Sequence, residues 1–179
     1  MHYAVCDFLL DLIQNSVEAD ARTVTVSVEE DRGLLTATVA DDGKGMDGAE
    51  LERAKDPFYT DGKKHARRKV GLGIPFLLQA LGQAGGSHEF SSAKGEGTTL
   101  SFSFPADGLD TPPLGDLPGL FLSAMCFDGD YELIVRRRAP ARGVEYEIRR
   151  SEIIEAAGPL TDAGALILAR EFLASQEAS

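Results

Sequence analysis

The sequence predicts an α+β fold: β-hairpins interleaved with amphipathic helices, followed beyond a linker by a smaller α+β appendage. Three observations carry this expectation. Apolar residues recur at helical spacing from Phe8 to Ala21; they alternate at strand spacing in Thr23–Glu30 and again from Leu100 to Phe104; and residues 106–118 hold three prolines and two glycines with no periodicity. The division that follows is 1–105, 106–118 as linker and 119–179 as appendage. A chain of 179 residues has room for one domain with a real core and a small addition.

Composition narrows the function classes. Acidic residues number 29 against 18 basic, a net charge of −11, which disfavours a sequence-blind phosphate-backbone binder, so nucleic acid is not an expected partner. No run of 18 apolar residues occurs, and the first fifteen residues, broken by Asp7 and Asp11, do not read as a signal peptide. A cytosolic chain with no membrane partner is expected. Cys6 and Cys126 lie in apolar stretches without a CxxC or a His cluster, so buried, reduced thiols are expected.

Taken in order, a helix over residues 3–19 carries Phe8, Leu9, Leu12, Ile13, Ser16 and Val17 on one side and Asp11, Asn15 and Glu18 within a narrow arc on the other. The carboxylate and amide of Asp11 and Asn15, at i and i+4, suit the polarising of a water and the holding of a hard cation such as Mg²⁺. Thr23–Glu30 and Leu34–Ala40 read as a hairpin turned at Asp31-Arg32-Gly33, and the second strand runs into Asp41-Asp42-Gly43-Lys44-Gly45-Met46, where two glycines imply a sharp turn with something close to the backbone. A short helix, Gly48–Lys55, leads to the polar segment Asp56–Lys63, with Thr60, and five of the 18 basic residues, Lys63, Lys64, Arg67, Arg68 and Lys69, fall within seven positions. Such a stretch reads as a loop able to close over phosphates. Gly71, Leu72, Gly73 and Ile74 then open a helix at Pro75, an arrangement that presents backbone N–H groups to an anion. Ser87–Ala93 and the strand ending at Pro105 form a second hairpin about Gly95-Glu96-Gly97-Thr98-Thr99.

Asp11-x-x-x-Asn15, Asp41-x-Gly43-x-Gly45, Pro57-Phe58-Tyr59-Thr60, Gly71-x-Gly73 and Gly95-x-Gly97-Thr98 stand in an order that resembles the ATP-binding fold shared by DNA gyrase, Hsp90, histidine kinases and MutL, the GHKL superfamily, over about residues 3–105. The resemblance implies a Bergerat-type two-layer sandwich, helices on a mixed sheet. It implies ATP and Mg²⁺ as cofactors, with Asn15 on the metal, Asp11 as the base that activates the attacking water, and Asp41 accepting from the adenine amino group. It further implies that Gly43, Gly45 and Met46 shape the base pocket, that Gly71, Leu72, Gly73 and Ile74 face the phosphates with Thr60 and Lys63 from the lid, and that Thr98 bonds near Asp41 and the base.

Asp11 stands where hydrolase members keep a glutamate one methylene longer. A misplacement of order 1 Å can cost about a hundredfold in rate, so binding is expected and turnover is expected to be slow. No phosphoacceptor helix pair precedes the first motif, and His88 reads as a strand residue inside the domain. The expectation is therefore a histidine-kinase-like ATP-binding domain standing alone, which hydrolyses ATP slowly or transfers phosphate to a protein partner in trans. The alternative is a non-catalytic, ATP-gated module whose lid controls docking of that partner.

Within the appendage, Leu120–Phe127 and Tyr131–Arg138 read as a hairpin about Asp128-Gly129, Val144–Arg149 as a third strand, and Asp162–Ala174 as a helix with Ala165, Leu166, Ala169, Phe172 and Leu173 on its apolar side. Arg136-Arg137-Arg138 and Arg149-Arg150 read either as exposed strand decoration or as a partner patch. Because the first helix has no strand ahead of it, the tail is expected to complete the sheet or the core.

Overall fold

The computed structural model describes residues 4–56 and 73–178. Helix α1 (Val5–Glu18) starts where the Asp7 carboxylate accepts the Ala4 N–H at 2.8 Å, and it buries Val5, Cys6, Phe8, Leu9, Leu12, Ile13 and Ser16, the side its periodicity marks as core. Strands β1 (Thr23–Asp31) and β2 (Leu34–Asp41) follow as a hairpin. Arg32 and Gly33 both take positive φ, 50° and 76°, the backbone of a two-residue turn whose twist suits the strands it joins. Helix α2 (Gly48–Lys55) is closed at its start by Asp47, which accepts the Glu50 N–H at 2.8 Å while Glu50 accepts the Asp47 N–H at 3.0 Å. Helix α3 (Gly73–Ala84), β3 (Ser87–Ala93) and β4 (Gly97–Pro105) complete the first part of the chain.

The remainder comprises α4 (Leu117–Met125), β5 (Glu132–Ala139), a 3-10 turn at Pro140–Arg142, β6 (Val144–Arg149), α5 (Arg150–Ala157) and α6 (Ala163–Glu177). The six strands among the described residues form one mixed sheet in the order β3-β4-β2-β1-β5-β6, in which β1 and β5 run parallel and every other pair is antiparallel. The tail thus completes the sheet by adding β5 to the free edge of β1. Val24, Val26 and Val28 lie on one face with Leu35, Ala37, Val39, Leu100, Phe102, Phe104, Leu133 and Val135, and the helices pack on that face. The opposite face is polar, with Thr38 and Ser101 sharing a 2.8 Å hydrogen bond at its centre. The architecture is two layers, helices on a mixed sheet, as the resemblance implies.

Several expectations for the tail are corrected. Leu120–Phe127 is not a strand. Leu117, Leu120, Phe121, Ala124 and Met125 are buried at helical spacing, and Asp116 caps them by accepting the Gly119 N–H at 3.0 Å. Helix α5 was not expected. On α6 the buried stripe is Ala165, Ala169 and Leu173, while Phe172 is 45% exposed. Cys6 is buried as expected, but Cys126, at the end of α4, is exposed; both are free thiols. Of the arginines, Arg136 and Arg138 are exposed strand residues and Arg149 a partly exposed one, as one of the two readings has it, each paired within the chain. Arg136 pairs with Glu147, and Arg138 with Glu29 and Asp31. Arg149 pairs with Glu147, and Arg150 donates to Met125 O and Tyr131 O. Arg137 points into the core, its side chain wholly buried against Glu30 and Glu177. No described helix is long and apolar enough to cross a membrane.

Candidate nucleotide site

Between α1, the end of β2, α2, the start of α3 and the β3–β4 hairpin lies a cavity of about 440 Å³, within the size range of small-ligand sites. Asn15, Asp41, Gly45, Met46, Gly73, Ile74 and Thr98 line it, brought together from four separate stretches of chain. Leu12, Val39, Phe90 and Leu100 supply apolar wall. Of the remaining expected residues, Thr60, Lys63, Gly71 and Leu72, together with the rest of the basic run, lie outside the described residues.

The closely approached backbone after β2 explains its glycines. Gly45 sits at φ 61° against the Ala93 carbonyl, and Gly97 at φ 101° against the Asp41 carbonyl, where a β-carbon would overlap those groups. A β-carbon on Gly43 would stand 2.8 Å from Ala19 O. Three backbone and side-chain links then seat the loop: Lys44 N to Ala19 O at 2.9 Å, Gly95 N to Lys44 O at 2.9 Å, and Met46 N to Ser92 Oγ at 2.8 Å. Asp42 pins the same loop to the start of β1 by accepting from Arg22 N and Thr23 N, bonds that hold its carboxyl below the usual carboxylate range, with the Thr23 N–H foremost.

Asp41 is oriented from two sides. Its Oδ1 accepts the Gly43 N–H at 2.9 Å and its Oδ2 accepts the Ser16 hydroxyl at 2.6 Å. Ser16, one residue beyond Asn15 on α1, is buried, so a single helical turn reaches both the amide side chain and the carboxylate. Thr98 stands opposite Asp41 across the β2–β4 pair, and its hydroxyl bonds Ser92 Oγ at 2.8 Å.

The other end of the cavity is the start of α3, where Gly73 lies so close to Asp11 that a β-carbon there would meet the Asp11 carboxylate. Asp11 is not among the residues lining the cavity. The lining also carries mixed charge: Lys44, Arg53 and Lys94 with Glu18 and Glu50. Lys94 pairs with Glu50 at 2.5 Å, and that bond is the leading cause holding the Glu50 carboxyl below its ordinary range. No cluster of three or more His, Cys, Asp or Glu suited to a metal occurs among the described residues.

A family model described as histidine kinase-, DNA gyrase B- and HSP90-like ATPase matches residues 4–108. The chain belongs to this family. The histidine-kinase-like ATPase domain is 34% identical over 106 residues to the sensor histidine kinase ZraS of Klebsiella oxytoca, covering 56% of this chain and 21% of that protein. To the histidine protein kinase DivJ of Caulobacter vibrioides it is 35% identical over 106 residues, 57% and 18% of the two chains, and to the sensor histidine kinase WalK of Bacillus subtilis 29% over 101 residues, 55% and 16%. The chain therefore spans about a fifth of the length of these curated relatives. Among solved structures, the catalytic domain of histidine kinase ThkA in a nucleotide-free form overlaps with a TM-score of 0.44 at 20% identity, covering 56% of this chain and 64% of that one. Full-length ShkA in complex with AMPPNP overlaps with a TM-score of 0.45 at 24% identity, 55% and 20% of the two chains.

Ser16 and Phe90, which the sequence did not single out, line the ATPase domain's cavity, and Ser92 stands outside the lining, bonded to Met46 N and Thr98 Oγ1. Ser16 reads from periodicity as core, and Phe90 and Ser92 read only as residues of the strand Ser87–Ala93. Each acquires its place only because β2 and β4 pair and α1 crosses them, so no local pattern announces it.

Proposed function

We propose that the cavity binds ATP with Mg²⁺, and that the domain hydrolyses it slowly or passes its γ-phosphate to a protein partner in trans. The observation that carries this reading is the convergence of Asn15, Asp41, Gly45, Met46, Gly73, Ile74 and Thr98 on one cavity. At the base end, Asp41 offers oriented carboxylate oxygens to an amino group, and Met46, Val39 and Leu100 flank the ring. At the phosphate end, Gly73 and Ile74, the first residues of α3, line the cavity, and a helix start favours anions.

The donor set also fits a phosphate-bound Mg²⁺. Such an ion keeps most of its oxygen ligands from phosphate and water and needs only one or two from protein, and Asn15 supplies a neutral amide oxygen in the cavity wall. When bound, the ion would supply neutralising charge at the phosphates. Asn15 would hold it, the loop from Asp41 to Met46 would shield the base from water, and Asp11, which lies beside the start of α3, would take the proton of an attacking water or acceptor. Residues 119–179 serve on this reading as the unit that meets the partner, and the cytosol is where the chain works.

A second reading, a module that holds the nucleotide as a signal without turning it over, is favoured by one observation: the Asp11 carboxylate packs against Gly73 and is absent from the cavity lining. Calorimetry of Mg-ATP binding to wild type, Asn15→Ala and Asp11→Asn, with released phosphate followed in the same samples, separates the two. Binding that loses its Mg dependence in Asn15→Ala, with phosphate appearing only when Asp11 is intact, is the outcome expected of the enzyme. Binding without phosphate in any sample supports the signal reading, and no binding by wild type overturns both.

A further inference from the structure

We infer that Ser92 is a positioning residue for base selection: it takes up the Thr98 hydroxyl proton and so leaves only acceptors at the base end of the cavity. The inference rests on the adenine-nucleotide reading above and assigns selectivity to a residue outside the cavity lining. A hydroxyl has one proton to donate and two lone pairs to accept with. Ser92 Oγ has three partners: Gly97 O at 2.9 Å, Met46 N at 2.8 Å and Thr98 Oγ1 at 2.8 Å.

These three contacts fix the proton positions. A carbonyl oxygen carries no hydrogen, so the proton between Ser92 and Gly97 O belongs to Ser92. The Met46 N–H fills one Ser92 lone pair, and the other receives the Thr98 proton. The opposite sense, Ser92 donating to Thr98, would leave two oxygens 2.9 Å apart with no hydrogen between them. Thr98 lines the cavity, and with its proton directed to Ser92 its Oγ1 has only lone pairs to offer there.

The neighbouring group behaves the same way. Asp41, opposite Thr98 in the strand register, accepts from Ser16 and from Gly43 and presents its remaining lone pairs. Every hydroxyl proton at this end, from Ser16, Ser92 and Thr98, is already directed to a protein acceptor. A purine with a 6-amino group brings N–H donors to such a wall at position 6 itself. A 6-oxo purine keeps only its N1–H as a donor on this edge and sets its O6 against the Asp41 and Thr98 oxygens, and an unmatched buried acceptor loses about tenfold or more in affinity.

The test compares ATP with inosine triphosphate, which carries oxygen in place of the 6-amino group, by calorimetry on wild type, Ser92→Ala and Ser92→Thr, with thermal unfolding of each variant recorded alongside. Wild type is expected to prefer ATP. Ser92→Ala frees the Thr98 proton to serve a 6-oxo group, so the preference should fall by about tenfold, whereas Ser92→Thr restores the hydroxyl and the wild-type ratio. A purely structural role for Ser92 would weaken both nucleotides alike, and an unmoved ratio in Ser92→Ala overturns the inference while leaving ATP binding intact. If Ser92→Ala fails to fold, Thr98→Val poses the same question by removing the acceptor: a narrowed preference supports the assignment and an unchanged one defeats it. Failure of wild type to bind ATP at all overturns the underlying reading, and the inference falls with it.

Discussion

At Gly45 the backbone turns through φ 61° directly beneath the Ala93 carbonyl, and at Gly97 through φ 101° beneath the carbonyl of Asp41. The two glycines interlock the loop after β2 with the β3–β4 turn, so a side chain at either position displaces the other strand rather than rotating away. Gly45→Ala is therefore expected to cost about 2 kcal/mol or more, from left-handed strain plus displaced backbone, read as a lower urea midpoint and weakened ATP binding. A variant that unfolds at the wild-type midpoint would mean that the loop relaxes freely. Glycines at this spacing were legible in the sequence because only backbone constraints explain them. Ser16 and Ser92 were not legible, since their partners Asp41 and Met46 lie 25 and 46 residues away in the chain.

Elements with a clear period were read correctly: α1, both hairpins, α2, β5 and β6. Helix α4 departs from the expected strand because that expectation takes the apolar run to begin at Leu120. Begun at Leu117, the same residues repeat at i, i+3, i+4, i+7 and i+8, with Asp116 ahead as a cap and Pro118 tolerated in the first turn. Helix α5 buries only Ile153 and offers little periodicity to read. How the tail's elements are held shapes the response to alkali. Burial pushes the Cys6 thiol of α1 from 9.0 up to about 12, and burial raises Tyr131 and Tyr146 as well, the latter helped by its hydrogen bond to Glu177 of α6. All three hold their protons more tightly folded than unfolded. Their contribution to stability is thus fully present below about pH 9 and drains away as rising pH first deprotonates the unfolded chain. Urea midpoints measured from about pH 8 to about pH 11 should fall, with a shallower slope in Tyr146→Phe; a flat profile would contradict the buried environment of these groups.

Across the whole molecule, β1 is an interior strand only because β5 lies beside it, and α1 is covered on one flank only because α4 packs there. Deleting residues 106–179 removes both. The fragment 1–105 is expected to be insoluble or to lose its cooperative unfolding transition, monitored by circular dichroism; an equally stable fragment that binds ATP would make the tail a separable appendage. The tail's parallel strand was outside the reach of local patterns, because sequence period identifies a strand without naming its neighbour. The matched family region ends at residue 108, short of every element that closes this edge.

The pairing of Val24 with Leu133 joins residues 109 positions apart. During synthesis at about 5–20 residues per second, β1 emerges several seconds before its parallel neighbour exists. Through that interval the strand at the centre of the finished sheet is an edge, its N–H and C=O groups open to any other extended chain. The newborn protein is therefore most vulnerable to wrong pairing while its nucleotide half is already on the outside of the ribosome and its last third is still being made.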